Sequence, residues 1–199
     1  LVTASGIGTT KLNALFRRHF HATPAAFLAR ERVAAASRSL AGGATVTEAA
    51  YAAGFESLSA FHLNFRRLTG LTPGEYRALG ASPSFTIALP DGFRADAVLG
   101  YQGRDPASVV ERVRGNELAK GHRVGDVPAT LRMRFDGEAV CCEVDAAGPL
   151  GAEQMREAHA AAVRMLNLAS DATTFERQIS RRPEYARLIA PRRGMRIPL

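Results

Sequence analysis

Cysteine is nearly absent from this 199-residue chain, and the two that occur, Cys141 and Cys142, are adjacent. Neighbouring cysteines rarely close a disulfide, and two ligands do not make a structural zinc site. Reduced thiols in the cytoplasm are the expectation. No apolar run approaches the length of a membrane span, and no signal peptide is visible. No Gly-rich phosphate loop precedes a helix bearing Lys and Ser/Thr. Acidic residues are scarce at one end: residues 1–80 hold nine Lys or Arg against four Asp or Glu, whereas 81–199 hold seventeen against fifteen. Thus +5 of the formal +7 lies in the first two fifths of the chain. That skew favours a polyanionic partner for the N-terminal part. Hydrophobic content of 46% with 23% charged residues fits a globular protein of one large or two small domains. The chain opens on Leu1 rather than Met and is expected to be a piece of a longer protein.

What the sequence does hold is a motif that occurs twice. Residues 5–24 read SGIGTTKLNALFRRHFHATP and residues 53–73 read AGFESLSAFHLNFRRLTGLTP. Ser5-Gly6-Ile7 matches Ala53-Gly54-Phe55, Phe16-Arg17-Arg18 matches Phe65-Arg66-Arg67, and Thr23-Pro24 matches Thr72-Pro73. In the second copy Thr47 is expected to cap a short helix over 47–53 with Glu48 in its first turn. Gly54 supplies the turn. Ser57 then caps a longer helix to Thr69, with Leu58, Phe61, Phe65 and Leu68 inward at helical spacing. Gly70 ends it, and Pro73 opens a last short helix through Tyr76. The first copy repeats this with its front missing: residues 1–5 form the tail of a short helix, Gly6 turns, and Thr9 caps a helix whose Leu12, Leu15, Phe16 and Phe20 face the core. Between the copies residues 24–41 read as one helix stopped by Gly42-Gly43. Its length, about 27 Å, makes a stiff connector. It suits two reading helices aimed at major-groove segments one DNA turn, ~34 Å, apart.

On these motifs residues 1–79 resemble the DNA-binding domain of the AraC/XylS family of transcription regulators. The resemblance implies that the first residues of each longer helix face base edges: Thr9, Thr10, Lys11 and Asn13 in the first unit, and Leu58, Ser59, His62 and Leu63 in the second. Asn suits adenine and Lys suits guanine or phosphate. Arg17, Arg18, Arg66 and Arg67 are expected to neutralise phosphates, setting affinity and salt dependence but not sequence choice. Family members often carry long polar or Arg side chains where Ala14, Leu58 and Leu63 stand, so the second unit is expected to read sequence less sharply. Ser5-Gly6-Ile7-Gly8 is also similar to the turn of a helix-hairpin-helix. Glycosylases of that kind place a catalytic Asp within a few tens of residues, and the first Asp here is Asp91, so that alternative is rejected.

Ala81-Ser82-Pro83 reads as a linker. Beyond it, 84–89, 116–124 and 130–135 read as strands. Leu131, Met133 and Phe135 fall on one face, and Val140, Cys142 and Val144 alternate again after Asp136-Gly137, a hairpin signal. Met155, Ala158, Ala162, Met165 and Leu166 mark an amphipathic helix over 151–168, followed by shorter helices near 173–180 and 183–190. The fold class expected is an all-α tandem helix-turn-helix domain over 1–80, followed by an α+β domain over 84–199, an antiparallel sheet with packed helices.

The second part resembles the N-terminal domain of AlkA-type 3-methyladenine DNA glycosylases. The segments that carry it are Leu99-Gly100-Tyr101, Gly103-Arg104-Asp105-Pro106, ERVRGN at 111–116 and RRGMRIPL at 192–199. The resemblance implies an accessory domain whose catalytic helical partner, with its Asp, would follow Leu199. The two parts together resemble the Ada-like adaptive response to DNA alkylation. Two alternatives stand beside this: a fragment of a bifunctional regulator and glycosylase, and a regulator whose α+β domain binds a small-molecule effector. The expected partners are double-stranded DNA and, as a candidate, RNA polymerase, with no membrane and a monomer or weak dimer. No catalytic residue, metal or cofactor is assigned. His19 and His21 lie two apart, the wrong spacing for one helical face, and His159 sits on the inward stripe of its helix. Cys141 and Cys142 point to opposite faces of a strand. Asp105-Pro106 is read as a helix start, and Arg181-Arg182 and Arg192-Arg193 as solvated charge.

Overall fold

A computed structural model describes residues 6–20, 22–169 and 172–196. The helix tail expected over 1–5, His21 and the end of the 192–199 segment lie outside the described residues. The chain divides into two compact units, Leu1–Asn64 and Phe65–Leu199. The fold is all-α at first and α+β thereafter.

The first unit is built by α1 (Thr9–Phe20), α2 (Pro24–Ala41), α3 (Val46–Ala52) and the start of α4 (Leu58–Thr69). Thr23 caps α2, its hydroxyl accepting from the Ala26 N–H at 3.1 Å, and Pro24 sits at the first helical position, where its missing N–H costs nothing. The helix closes in a Schellman motif. Gly43, at φ +94°, donates to the Leu40 carbonyl, and Ala44 donates to Ser39. The cap of α3 is Thr45, not Thr47: a capping box needs its acid three residues after the cap, and Glu48 stands at that distance from Thr45. Gly54, at φ +82°, ends α3 in a second Schellman motif, with Gly54 donating to Tyr51 and buried Phe55 to Ala50. Leu12, Val33, Ala36, Leu40, Ala49, Ala50, Phe55 and Phe61 are buried. Leu15 and Phe16 are only half-buried. Phe20, expected inward, is 51% exposed and packs with its ring tilted against those of Phe16 and Phe27, at 5.1 and 5.0 Å between centres, instead.

The second unit holds the end of α4, α5 (Pro73–Arg77), β1 (Ser84–Ala88), α6 (Ala95–Gln102), β2 (Glu111–Arg114), β3 (Glu117–Val124), β4 (Val127–Asp136), β5 (Ala139–Ala146) and α7 (Ala152–Met165). α8 (Ala172–Ile179) and α9 (Pro183–Ile189) follow. The sheet is antiparallel, in the order β1-β5-β4-β3-β2. The β4–β5 hairpin pairs Asp136 with Ala139, and Gly137 takes φ +57° in its two-residue turn. Leu118, Leu131, Met133, Phe135, Val140, Cys142 and Val144 point to one face and form a single core with Met155, Ala158, Ala162 and Leu166 of α7 and its end. The other face carries polar side chains. Asp105-Pro106 starts no helix. The Asp105 carboxylate accepts the Ala107 N–H at 3.0 Å and holds a turn.

Leu71 and Leu79 belong to that same core, with Tyr76 packed against it. Gly70, at φ +74°, lies so close to the sheet that a Cβ there would stand 2.3 Å from the Ile87 Cγ2. Its carbonyl accepts the Ala88 N–H at 2.8 Å. His159, on the buried face of α7, donates from Nε2 to the Thr69 carbonyl at 2.8 Å, and its ring meets those of Tyr76 and Phe85 edge-on. Burial, acting against the Thr69 bond, lowers the His159 pKa to about 4. The imidazole is therefore neutral at pH 7.

Candidate nucleic-acid interface

The two longer helices of the repeat are identical in length and phase. Thr9, Thr10, Lys11, Asn13, Ala14, Arg17 and Arg18 of α1 correspond to Leu58, Ser59, Ala60, His62, Leu63, Arg66 and Arg67 of α4. In α4, Phe61, Phe65 and Leu68 are buried. At 100° per residue the opposite side of the helix falls on Ser59, Leu63, Arg66 and Arg67, with His62 beside them. All five are exposed, and Leu63 is 70% exposed at the middle of that side. Leu58 is half-buried, which fits its inward spacing more than a place on the outer side. In α1, Leu12 is the buried anchor, and Thr9, Thr10, Lys11, Arg17 and Arg18 are exposed. Asn13 is half-buried, and its amide donates to the Thr9 carbonyl at 3.0 Å. One N–H and the amide oxygen remain for another partner.

The helix ends differ in charge by role. The short helices α3 and α5 carry capping boxes, Thr45 with Glu48 and Thr72 with Glu75. Backbone and then hydroxyl hydrogen bonds from Thr45 hold the Glu48 carboxyl below its ordinary range. Each box places a negative charge on the positive end of its helix. Neither α1 nor α4 has an acid in its first turn, and both carry arginines in their last. Ser57 caps α4 through a neutral hydroxyl, accepting the Ala60 N–H at 3.2 Å. The first turns of both helices are thus free of carboxylates, which favours an approaching phosphate, although exposed Glu56 stands just before the Ser57 cap of α4.

Arg32 was not foreseen as part of this arrangement. Its guanidinium lies 5.8 Å from the centre of the Phe55 ring and under Gly54, joining the connector helix to the turn of the second copy. Nothing in local spacing links residues 32 and 55. Arg66 lines a shallow groove with Gly70, Glu75, Thr86, Asp136 and Glu138, a setting richer in acids than its place in the repeat implies. Among the described residues no group of three His, Cys, Asp or Glu is placed to hold a metal. No described helix is long and apolar enough to cross a membrane.

A short helix, a glycine turn and a capped reading helix with an outward polar side define a helix-turn-helix. Residues 1–79 match the family model of a helix-turn-helix domain. This segment is a DNA-binding module of the AraC type, of the kind found in transcription regulators. No curated protein matches the chain.

Proposed function

We propose that the chain is a sequence-specific transcription-regulator module, residues 1–80, joined to the non-catalytic N-terminal α+β domain of an alkylation-repair DNA glycosylase, residues 84–199. The observation that carries the first half is the matched outer sides of α1 and α4. Thr9, Thr10, Lys11 and Asn13 read bases in the first copy, and Ser59, His62 and Leu63 in the second, Leu58 adding a side-on apolar contact. Arg17, Arg18, Arg66 and Arg67 take phosphates. Leu63 offers only an apolar surface, which suits a thymine methyl.

The glycosylase half is supported by resemblance and by where its segments fall. ERVRGN forms β2 and its turn to β3, where the Asn116 amide donates to the Phe135 carbonyl at 2.7 Å. Arg104 lies over the Tyr101 ring at 4.0 Å and donates to the Tyr101 carbonyl. These are scaffold contacts, in keeping with an accessory domain whose chemistry lies in a following helical domain. In a longer chain the protein would regulate repair genes and also excise alkylated bases. RNA polymerase is a second partner on this reading, in the cytoplasm, with the chain a monomer or weak dimer.

The test is duplex binding across a series of salt concentrations. Asn13→Ala is expected to change base preference, and Arg66→Ala to weaken binding to every sequence while lowering the salt slope by about 1. A flat salt response would refute the first half. Release of 3-methyladenine by this chain alone would refute the accessory role of the second.

A further inference from the structure

We infer that the open face of the sheet is a second DNA-contacting surface, one that grips duplex phosphates without reading bases. The pairing of β2, β3 and β4 sets Arg112, Ala119 and Arg132 in one row across the strands and Arg114, Glu117 and Arg134 in the next. These positions alternate with the buried ones, so all four arginines project from the face that α7 does not cover, and all are exposed. Arg132 reaches Asp145 of β5 at 3.4 Å. Arg112, Arg114 and Arg134 have no hydrogen-bond or ion-pair partner among the described residues. Between the two arginine columns β3 presents Glu117 and then the small Ala119 and Gly121, which leave a groove of about 340 Å³. Glu117 is the one carboxylate between the two columns; Asp136 follows Arg134 at the end of β4, and Glu143 and Asp145 lie across on β5.

Charge and spacing select the occupant. Arginines two residues apart on a strand are about 6.7 Å apart, and those two strands apart about 9.6 Å. One strand of a duplex presents a phosphate every ~3.4 Å of axis, so such a grid meets several phosphates at once. A single-stranded nucleic acid would call for aromatic side chains on which bases stack, and the outward positions of all five strands carry none. A duplex is also the polyanion that residues 1–79 bring to this chain, which raises its local concentration at the sheet. The inference does not depend on which residues of α1 and α4 read bases.

The experiment uses the full chain and a labelled duplex of arbitrary sequence at several salt concentrations. Replacing Arg112, Arg114 and Arg134 together by Gln is expected to lower the slope of log affinity against log salt by about 2 to 3 and to weaken binding by more than about tenfold at low salt. Base preference and thermal midpoint stay unchanged. Glu117→Gln is expected to strengthen binding. An Arg17→Gln, Arg66→Gln variant is measured in parallel. If that variant loses affinity while the triple variant keeps both slope and affinity, the sheet surface is overturned and the helix-turn-helix reading stands. If only the triple variant loses affinity, the reverse holds. A loss confined to one sequence, or a triple variant that binds duplex normally while losing an acidic peptide, also overturns the inference.

Discussion

α1 and α4 carry the same motif in two different settings. In α1 one residue, Leu12, is buried, and Phe16 and Phe20 cover one another and Phe27 near the surface. In α4 three residues of one face are buried, Phe61 and Phe65 completely, and the last turn is fixed by the His159 bond and the Gly70 contact with Ile87. The two helices share Phe-Arg-Arg at the same place, yet Phe16 is half-buried where Phe65 is completely buried. A repeat seen in sequence therefore says little about how firmly each copy is held.

The largest effect should come from the inner face of α4. Phe65→Ala is expected to lower stability by about 3 to 5 kcal/mol, whereas Phe20→Ala should cost under about 1 kcal/mol. Chemical denaturation of the two variants gives the comparison, and equal losses would erase the difference in anchoring.

The next effect is pH dependence. The His159 pKa falls from about 6.5 unfolded to about 4 folded. Between these values the unfolded chain binds the proton and the folded one does not, so stability rises with pH there. The contribution is complete above about pH 6.5 and is lost as pH falls to about 4. The loss amounts to about 3 kcal/mol. Denaturation midpoints at pH 7 and pH 4.5 should show the slope, and His159→Gln should remove it.

Smaller again is the contrast of two glycines. Gly70→Ala meets both a left-handed backbone and the Ile87 side chain and should cost about 2 to 3 kcal/mol. Gly6→Ala, at φ +64° with open space around it, should cost about 1 kcal/mol. Thermal melts that rank them the other way would place the tighter packing at the first copy. The smallest effect on stability is expected at Leu63→Ala, within about 0.5 kcal/mol, alongside a measurable change in base preference. A large loss of stability there would mean that Leu63 serves packing and not reading.

Much of this was legible because it is local. The bounds of α2 follow from Thr23-Pro24 at one end and Gly42-Gly43 at the other, and the observed helix starts and stops there. The sheet core followed from period-two alternation in β4 and β5. Thr45 was missed because Thr47 competes for the same role and only the position of Glu48 decides. α6 and β2 gave weak signals. α6 lacks a side-chain cap and contains Gly100, and β2 has four residues, three of them charged. The contacts of Gly70 with Ile87 and of Thr69 with His159 join residues far apart in the chain, and no spacing announces them.

The packing of residues 70–80 bears on how such proteins are recombined. The family match ends at residue 79, yet Leu71 and Leu79 are core residues of the sheet. Gly80 is so close to α7 that a Cβ there would stand 2.5 Å from the Ala152 Cα. A gene cut at the edge of the match would remove those two leucines from the sheet core and leave the excised module ending in bare leucines. Residues 70–80 thus belong to the packing of the second unit, and a piece that ends at residue 79 carries two leucines that need an apolar cover of their own.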